Sequence, residues 1–459
     1  MQERKREDAY MEKTREWNTS FARSIVKIAL PVTLQSMLRS SFSMIDQIMI
    51  GQLGSESIAG IGLGGKFASM QSVILGAVTA AAAVMISQYM GQQNLKNVRR
   101  SFYANLLTAL GVSLLFLLLG TVFAEPIMSC YTEDMYSRQL AVQYLQVYSF
   151  IFLPAAISGI AETMLCCMEA AAFSLCASIA SLAINTGLNY LLIFGKFGFP
   201  ALGVRGAAIG SVAAQSVSTL MTLGFLAWQL RRKGIRLSFE AGFDHAQRRA
   251  YGKILLPLLL CEFLWSLGEN VYSGIYGHIG TQACAAMTMT APIQGLTIGA
   301  LCGLAQAAGI LVGKSLGSQD YEKAYADAKK LMRGGLLGSL ILSGLLLLFG
   351  KYYTEIYQVE LAVKEMAYEL LVVFAFISPI KVQNMILGGG IIRSGGRTDY
   401  IMWIDIIGTW VFGVPCGLLA AFWLQLPVAW VYLLLSLEEG IRLAVSLVIF
   451  KKRIWMQKL

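Results

Sequence analysis

The chain has 459 residues, of which 56% are hydrophobic and only 14% charged, and its mean hydropathy is +0.60. A water-soluble protein carries roughly 25% charged residues, so this composition excludes a soluble globular domain and makes the bilayer the solvent for most of the surface. The formal charge of +10 does not mark a nucleic-acid partner, because the basic residues gather in short clusters between apolar stretches.

Those stretches are long enough to cross a bilayer as helices, which takes about 20 residues. They mix Gly, Ala and Ser with Leu and Ile, and small residues let helices approach where lipid supplies no hydrophobic drive. The short alternating segments of an outer-membrane barrel are absent. Residues 1–20 are polar and charged, so no cleavable signal is expected and the first helix acts as its own insertion signal. In chain order, helices are predicted at 24–50, 57–89, 101–124, 139–165, 171–195 and 201–230, then at 252–277, 283–312, 333–354, 364–390, 399–422 and 425–449. With twelve spans, most Lys and Arg fall on one side: the N-terminal arm, Lys96 to Arg100, Arg231 to Lys253, Lys314 to Arg333, Arg393 and Arg397, and Lys451 to Lys458. By the positive-inside rule both termini are expected in the cytoplasm, with the chain a multi-pass protein of a prokaryotic cytoplasmic (inner) membrane. The eight cysteines are scattered and show no metal-ligand spacing.

The polar stretch 231–251 separates two halves that resemble each other. Moving the second back by 226 residues brings Pro257 onto Pro31, Gly277 onto Gly51, Gly317 onto Gly91 and Gln319 onto Gln93. The register holds without a gap over about sixty residues. The predicted fold class is therefore an all-α membrane protein with twelve transmembrane helices in two pseudo-symmetric six-helix lobes. The expected division is a cytoplasmic arm (1–21), an N-lobe (22–231), a cytoplasmic linker (232–249) and a C-lobe (250–459) with a basic C-terminus. Each half has an even number of spans, so the pseudo-two-fold axis runs along the membrane normal, and a cavity between the halves is the expected substrate path.

A charge at the bilayer centre costs about 2.5–3.5 kcal/mol on insertion scales, so each intramembrane charge invites a functional reading. Asp46 stands late in the first helix, with Arg39 two turns earlier on the same face. They can be read as a structural pair, or Asp46 as a cation or proton site. Asn185 and Asn189 share one face of the fifth helix and can offer amide oxygens to a small cation beside Asp46, or simply bond between helices. Glu262 and Glu269 repeat the seven-residue spacing on the seventh helix, near Phe263, Trp265 and Tyr272. Acid with aromatics suits a lipophilic cation. Glu162 in the fourth helix, Lys381 and Asn384 in the tenth and Asp405 in the eleventh complete the candidates, with a Lys381–Asp405 ion pair as the structural alternative. Glu438, Glu439 and Arg442 in the last helix read as a structural group.

The segments IALPVTLQSMLRSSFSMIDQIMIGQLG, AINTGLNYLLIFG followed by FPALGVRGAAIGS, LPLLLCEFLWSLG and GGGIIRSGGRT together resemble the multidrug and toxic compound extrusion (MATE) family, over about residues 22–450. The resemblance implies a two-lobe transporter that exports organic, often cationic, compounds against an inward flow of Na⁺ or H⁺. It implies that Asp46 serves the coupling ion in the N-lobe, with Asn185, Asn189 and Ser211 near it, and that Glu262 serves in the C-lobe. The expected function is thus a secondary antiporter working by alternating access, with small organic cations or metabolites as substrates, lipid as its surroundings, Na⁺ or H⁺ as coupling ion and no cofactor, acting as a monomer. Any metal is a Na⁺ at Asp46. A flippase for a lipid-linked precursor is the alternative, left open by Arg39, Lys66 and Lys381. The two histidines, His245 and His278, lie outside the helix cores, and without a nucleophile elbow or phosphate loop no enzyme is expected.

Overall fold

The computed structural model describes residues 21–41, 46, 49–50, 52–53, 55–236, 243–357 and 359–459. The N-terminal arm up to residue 20, part of the first helix and part of the linker lie outside them. Every regular element among the described residues is helical. The helices are α1 (21–41), α2 (Ser55–Gly91), α3 (Leu95–Val122), α4 (Met135–Cys167), α5 (Ala171–Phe194) and α6 (Gly203–Arg232). The second set is α7 (His245–Ile279), α8 (Thr281–Gly317), α9 (Tyr321–Glu355), α10 (Leu361–Ile392), α11 (Thr398–Trp423) and α12 (Val428–Lys451). Ten helices among the described residues are long and apolar enough to cross a membrane. The other two of the twelve are α1, described in part, and α12, which carries Glu438, Glu439 and Arg442 in mid-helix.

The helices are built inside out relative to those of a soluble protein. The buried stripe of α3 is Ser101, Asn105, Ala109, Ser113, Phe116 and Gly120, spaced three or four apart as one helical face requires. Its opposite face exposes Leu107, Leu114, Leu115 and Leu118. The same plan recurs in α9, which buries Asp327, Leu331, Gly335 and Ser339 and exposes Leu337, Leu340, Ile341 and Leu348. Small and hydroxyl residues pack inward, and large aliphatic ones face lipid. The four buried α9 positions are the α3 positions 101, 105, 109 and 113 moved on by 226, so the duplication extends to which face is buried.

The backbone repeats as faithfully. Gln93 and Gln319 end α2 and α8 in the left-handed region, at φ 56° and 63°. Asn94 and Asp320 then cap the following helices, each accepting a backbone N–H three residues on at 3.1 Å. These caps explain why α3 and α9 begin at Leu95 and Tyr321, earlier than hydrophobicity alone predicts. Polar first turns continue the helix into water once their N–H groups are satisfied. The same holds for α7, where a capping box of Asp244 and Gln247 starts the helix at His245. Unanticipated π-helical turns interrupt α10 over Met385–Ile392 and α11 over Ile406–Gly413 and Leu419–Trp423.

The halves meet chiefly where α2 crosses α8 and α7. A side chain on Gly91 would run into the carbonyl of Lys314, and one on Gly317 into the carbonyl of Gln88. The two contacts are images of each other under the 226-residue shift, the mark of a self-complementary interface. Around them, Glu169 accepts from the Ser24 hydroxyl at 2.9 Å and pairs with Lys314 at 2.7 Å. The C-terminal segment folds into the same seam. Trp455 is fully buried, Gln88 Nε2 donates to the carbonyls of Ser394 (2.7 Å) and Gln457 (3.2 Å), Gln92 Nε2 donates to that of Leu459 (3.0 Å), and the Leu459 N–H donates back to Gln88 Oε1 (2.8 Å). Among the described residues, the hydrogen bonds and ion pairs that join the halves lie at or toward this basic end, and none joins them at the other.

Gly91→Ala and Gly317→Ala should each destabilise the purified protein by about 1–3 kcal/mol, the usual cost of overpacking. Gly111→Ala, a glycine with open space around it, should be neutral or slightly stabilising; melting temperatures in detergent check this. For Glu169, burial works to raise the carboxyl pKa, but Lys314, the Ser24 hydroxyl and Lys233 outweigh it and hold the pKa below the ordinary value. A depressed folded pKa means the stabilisation is complete above the ordinary glutamate value and is lost as pH falls through the folded one. Glu169→Gln should therefore lower the melting temperature at neutral pH and lose that difference as pH falls below the ordinary glutamate range, as a pH series of melts would register.

Candidate functional site

Two polar constellations sit within the helices, one in each half. In the first, Asp46 accepts from Asn189 Nδ2 at 3.1 Å. With its amide nitrogen turned to Asp46, Asn185 donates to both carboxylate oxygens at 3.0 and 3.1 Å, and its oxygen accepts from the Ser211 hydroxyl at 3.2 Å. All four residues expected around a coupling site are thus together. Their approach depends on α6 having no side chain in the way: a methyl on Gly210 would strike Asn189 Oδ1, and one on Gly206 the carbonyl of Leu192. Asn189 is buried and its Oδ1 has no hydrogen-bond partner among the described residues. The carboxylate is surrounded by amide donors, which solvate its charge without a counter-ion. With both amides reversed, the same side chains present oxygens, the ligands a small hard cation prefers.

Arg39 does not pair with Asp46. It lies 3.5 Å from Glu162 on α4, and Gln35 links the same carboxylate (3.4 Å) to the Ser178 hydroxyl (2.6 Å). Seven residues return to the same helix face but about 10 Å along the axis, too far for an ion pair. Arg39 and Glu162 therefore form a separate cluster. Tyr144 and Tyr148 of α4, stacked at 4.9 Å, stand within electrostatic reach of Asp46. Nothing in the sequence marks them, because they flank Asp46 only through packing.

The second constellation lines a cavity of about 830 Å³ among α7, α8, α10, α11 and α12. Glu262, Glu269, Lys381, Asn384 and Asp405 all reach it. The proposed Lys381–Asp405 pair is not formed. Asp405 pairs with Arg442 at 3.2 Å and accepts from Cys261 Sγ at 2.6 Å, whereas α10 packs on α12 and turns Lys381 toward the Tyr432 ring, 5.9 Å from its Nζ. Asn384 on the same face donates to the Glu439 carboxylate at 2.7 Å. Arg442 also holds Glu438 (3.6 Å) and the Thr409 hydroxyl, and Tyr272 donates to Glu438 at 2.5 Å. Glu262 pairs with Arg393 at 3.6 Å, a residue left in a loop by sequence reasoning. The Glu438–Arg442 spacing of four was a legible clue, but it pointed to a local pair and concealed a network across three helices. Glu269 has no side-chain partner among the described residues, and no three His, Cys, Asp or Glu residues among them converge on a metal site.

The family model MatE matches the chain twice, over residues 31–191 and 257–419. The chain belongs to the MATE family of transporters. Similar proteins include "Probable multidrug resistance protein NorM" of Bacillus cereus, 23% identical with 92% of this chain and 94% of that one covered. "Multidrug resistance protein MdtK" of Yersinia pseudotuberculosis is 25% identical with 87% of each chain covered. "Uncharacterized transporter YisQ" of Bacillus subtilis is 20% identical with 95% of each covered. Among solved structures, the Vibrio cholerae MATE transporter VcmN superposes with a TM-score of 0.86 at 16% identity over 95% of this chain and 97% of that one. An outward-facing multidrug resistance MATE transporter superposes at 0.82 and 17% identity, covering 94% and 95%. The twofold match of one MATE unit is what the gapless 226-residue repeat implies, and this MATE chain is a multi-pass membrane transporter.

Arg442 is nearly buried between two carboxylates, and removing one partner of such a group strands a charge at a cost of about 3–5 kcal/mol. Arg442→Met should therefore lower the melting temperature markedly, and adding Asp405→Asn should recover part of the loss. Failure of the second substitution to recover any would separate the pair energetically.

Proposed function

We propose that the chain is a secondary antiporter that exports small organic compounds across the cytoplasmic membrane, driven by inward Na⁺ or H⁺, with both termini in the cytoplasm. The observation that carries this reading is the separation of labour between halves. Asp46, with Asn185, Asn189 and Ser211, forms a compact cluster of carboxylate, amide and hydroxyl groups, the ligand types a small hard cation takes. The C-terminal half holds an aromatic, charge-lined cavity whose volume suits a drug-sized molecule. Relatives named for multidrug resistance support an organic substrate. The lobe boundaries proposed are 22–231 and 250–459, one chain supplies both, and the reading needs no second copy.

In this mechanism the bonded seam at the basic end closes the cytoplasmic side and leaves the chamber facing outward. A cation entering from outside binds Asp46 and replaces the amide N–H groups as the partner of its carboxylate. Asn185 and Asn189 then turn their oxygens inward, α5 and α6 shift against α1, and the contacts of α1 with α8 (Thr33 to the Ala300 carbonyl, Gly303 on the Ala29 carbonyl) carry the change to the other half. A potential of 100 mV contributes about 2.3 kcal/mol per charge moved inward, enough to drive a substrate gradient of about fifty-fold. Of the three cations lining the C-terminal cavity two are ion-paired, which disfavours a site for the phosphates of a lipid-linked precursor.

Asp46→Asn should abolish gradient-driven efflux, by at least about a hundred-fold, while the protein inserts and melts normally. Everted vesicles assayed for a fluorescent organic cation under separate Na⁺ and H⁺ gradients check this and name the ion. Efflux by Asp46→Asn equal to that of the parent under both gradients would remove Asp46 from the mechanism.

A further inference from the structure

The basic end carries a second contact between the halves besides the Glu169–Lys314 pair, and it differs in kind. Gln88 of α2 and Lys314 of α8 stand 226 residues apart, at equivalent points of the repeat. Each reaches across the seam to the turn that ends the fourth helix of the opposite half: Lys314 to Glu169 beyond α4, and Gln88 to the Ser394 carbonyl beyond α10. Lys314 meets a carboxylate there. Gln88 is fully buried, and its amide also holds a further segment, residues 453–459. Gln92, four residues on, adds a bond to the same segment.

The two sides of that segment are held differently. Toward the C-half, the Trp455 ring is fully buried and stacks on Phe450 at 5.8 Å, and its Nε1 donates to the Phe450 carbonyl at 3.4 Å. The Trp455 carbonyl lies on Gly395, where a methyl group would strike it, and the Leu459 side chain lies against Gly396. Arg453 pairs with Glu322 of α9 and covers the Tyr325 ring at 4.2 Å. Toward Gln88 and Gln92 the ties among the described residues are three hydrogen bonds. Gln88 and Gln92 donate to the carbonyls of Gln457 and Leu459, and Gln88 accepts from the Leu459 N–H. Water replaces a neutral hydrogen bond at a small net cost, whereas withdrawing an indole from a packed site forfeits its whole burial. Parting of the halves therefore breaks the glutamine side first. Resting on the reading of this seam as the cytoplasmic closure, we propose that residues 453–459 are a clasp: they stay on the C-half and let go of Gln88 and Gln92 each time the cytoplasmic side opens. Gln88 and Gln92 are then positioning residues, which set how readily the closed seam yields.

The test uses the full chain and two readouts. In the first, Gln92→Cys and Leu459→Cys are combined and joined by a short bis-methanethiosulfonate, with each single variant treated alike as control. Joining should lower efflux from everted vesicles at least about ten-fold, a reductant that cleaves the bridge should restore it, and the single variants should keep it. In the second, hydrogen exchange is followed by mass spectrometry in lipid nanodiscs, where no transport is needed. Gln88→Met should speed exchange of the Leu459 amide at least about ten-fold, as loss of a net hydrogen bond implies, and leave exchange up to Trp455 as in the parent. Gln92→Met, at a less buried position, should act the same way but more weakly. Full efflux with the bridge in place, or a pair that the reagent does not join, overturns the clasp and leaves the antiporter reading standing. So does exchange that is unchanged in both variants, or that quickens around Trp455 and Leu459 together. Absence of gradient-driven efflux from the parent chain overturns the antiporter reading instead, and the exchange result alone then decides whether the segment parts from Gln88 and Gln92 while staying on the C-half.

Discussion

Two glycines and two carbonyl groups hold this molecule in register. Gly91 lies on the Lys314 carbonyl and Gly317 on the Gln88 carbonyl, and the Glu169–Lys314 pair and the C-terminal segment gather around that reciprocal contact. Lipid does not press helices together as water does, so cohesion must come from close approach and from hydrogen bonds. Removing the side chain at both crossing points allows the backbones to touch. The glutamines and the Glu169–Lys314 pair then add the polar bonds that only such proximity makes available. The other end of the helices lacks such bonds among the described residues.

Polar groups inside the helices follow a second constraint, that most charges there are answered by a partner. The answers differ between halves. Around Asp46 it is given by neutral amides, which can reverse and accept a different partner at little cost. In the C-terminal cavity arginines answer Glu262, Asp405 and Glu438, and because they are always charged they fix those carboxylates in place. The first arrangement is suited to exchanging an ion and the second to shaping a permanent chamber. The π-helical turns of α10 and α11 lie along that chamber, and such turns are frequent at functional sites.

Much of this was legible in the sequence because it depends on local periodicity. The 226-residue repeat survives in identities such as Gly91 with Gly317, and it recurs in the caps and in the buried faces of α3 and α9. Asn185 and Asn189 share a helix face by simple geometry, and Asp46, Ser211 and those two amides were gathered by family resemblance. What could not be read was which helix lies beside which. Arg39 was matched to Asp46 because both share one face, yet the axial rise keeps them apart and Glu162 of another helix takes the arginine. Lys381 was matched to Asp405 from neighbouring spans, yet α10 leans on α12, and Arg442 claims the aspartate. Helix starts were placed late wherever a cap, as at Asn94, Asp244 and Asp320, carries the helix beyond its apolar stretch.

The C-terminal segment has a consequence for how the protein is made. Leu459 and Gln457 bond to Gln88 and Gln92 across some 370 positions of chain. During synthesis the glutamines of α2 enter the membrane long before those partners leave the ribosome. Until then their amides stay open to water or to passing lipid headgroups, and the gap that Trp455 fills is vacant. Docking of residues 455–459 against α2 is thus a step distinct from insertion of the helices.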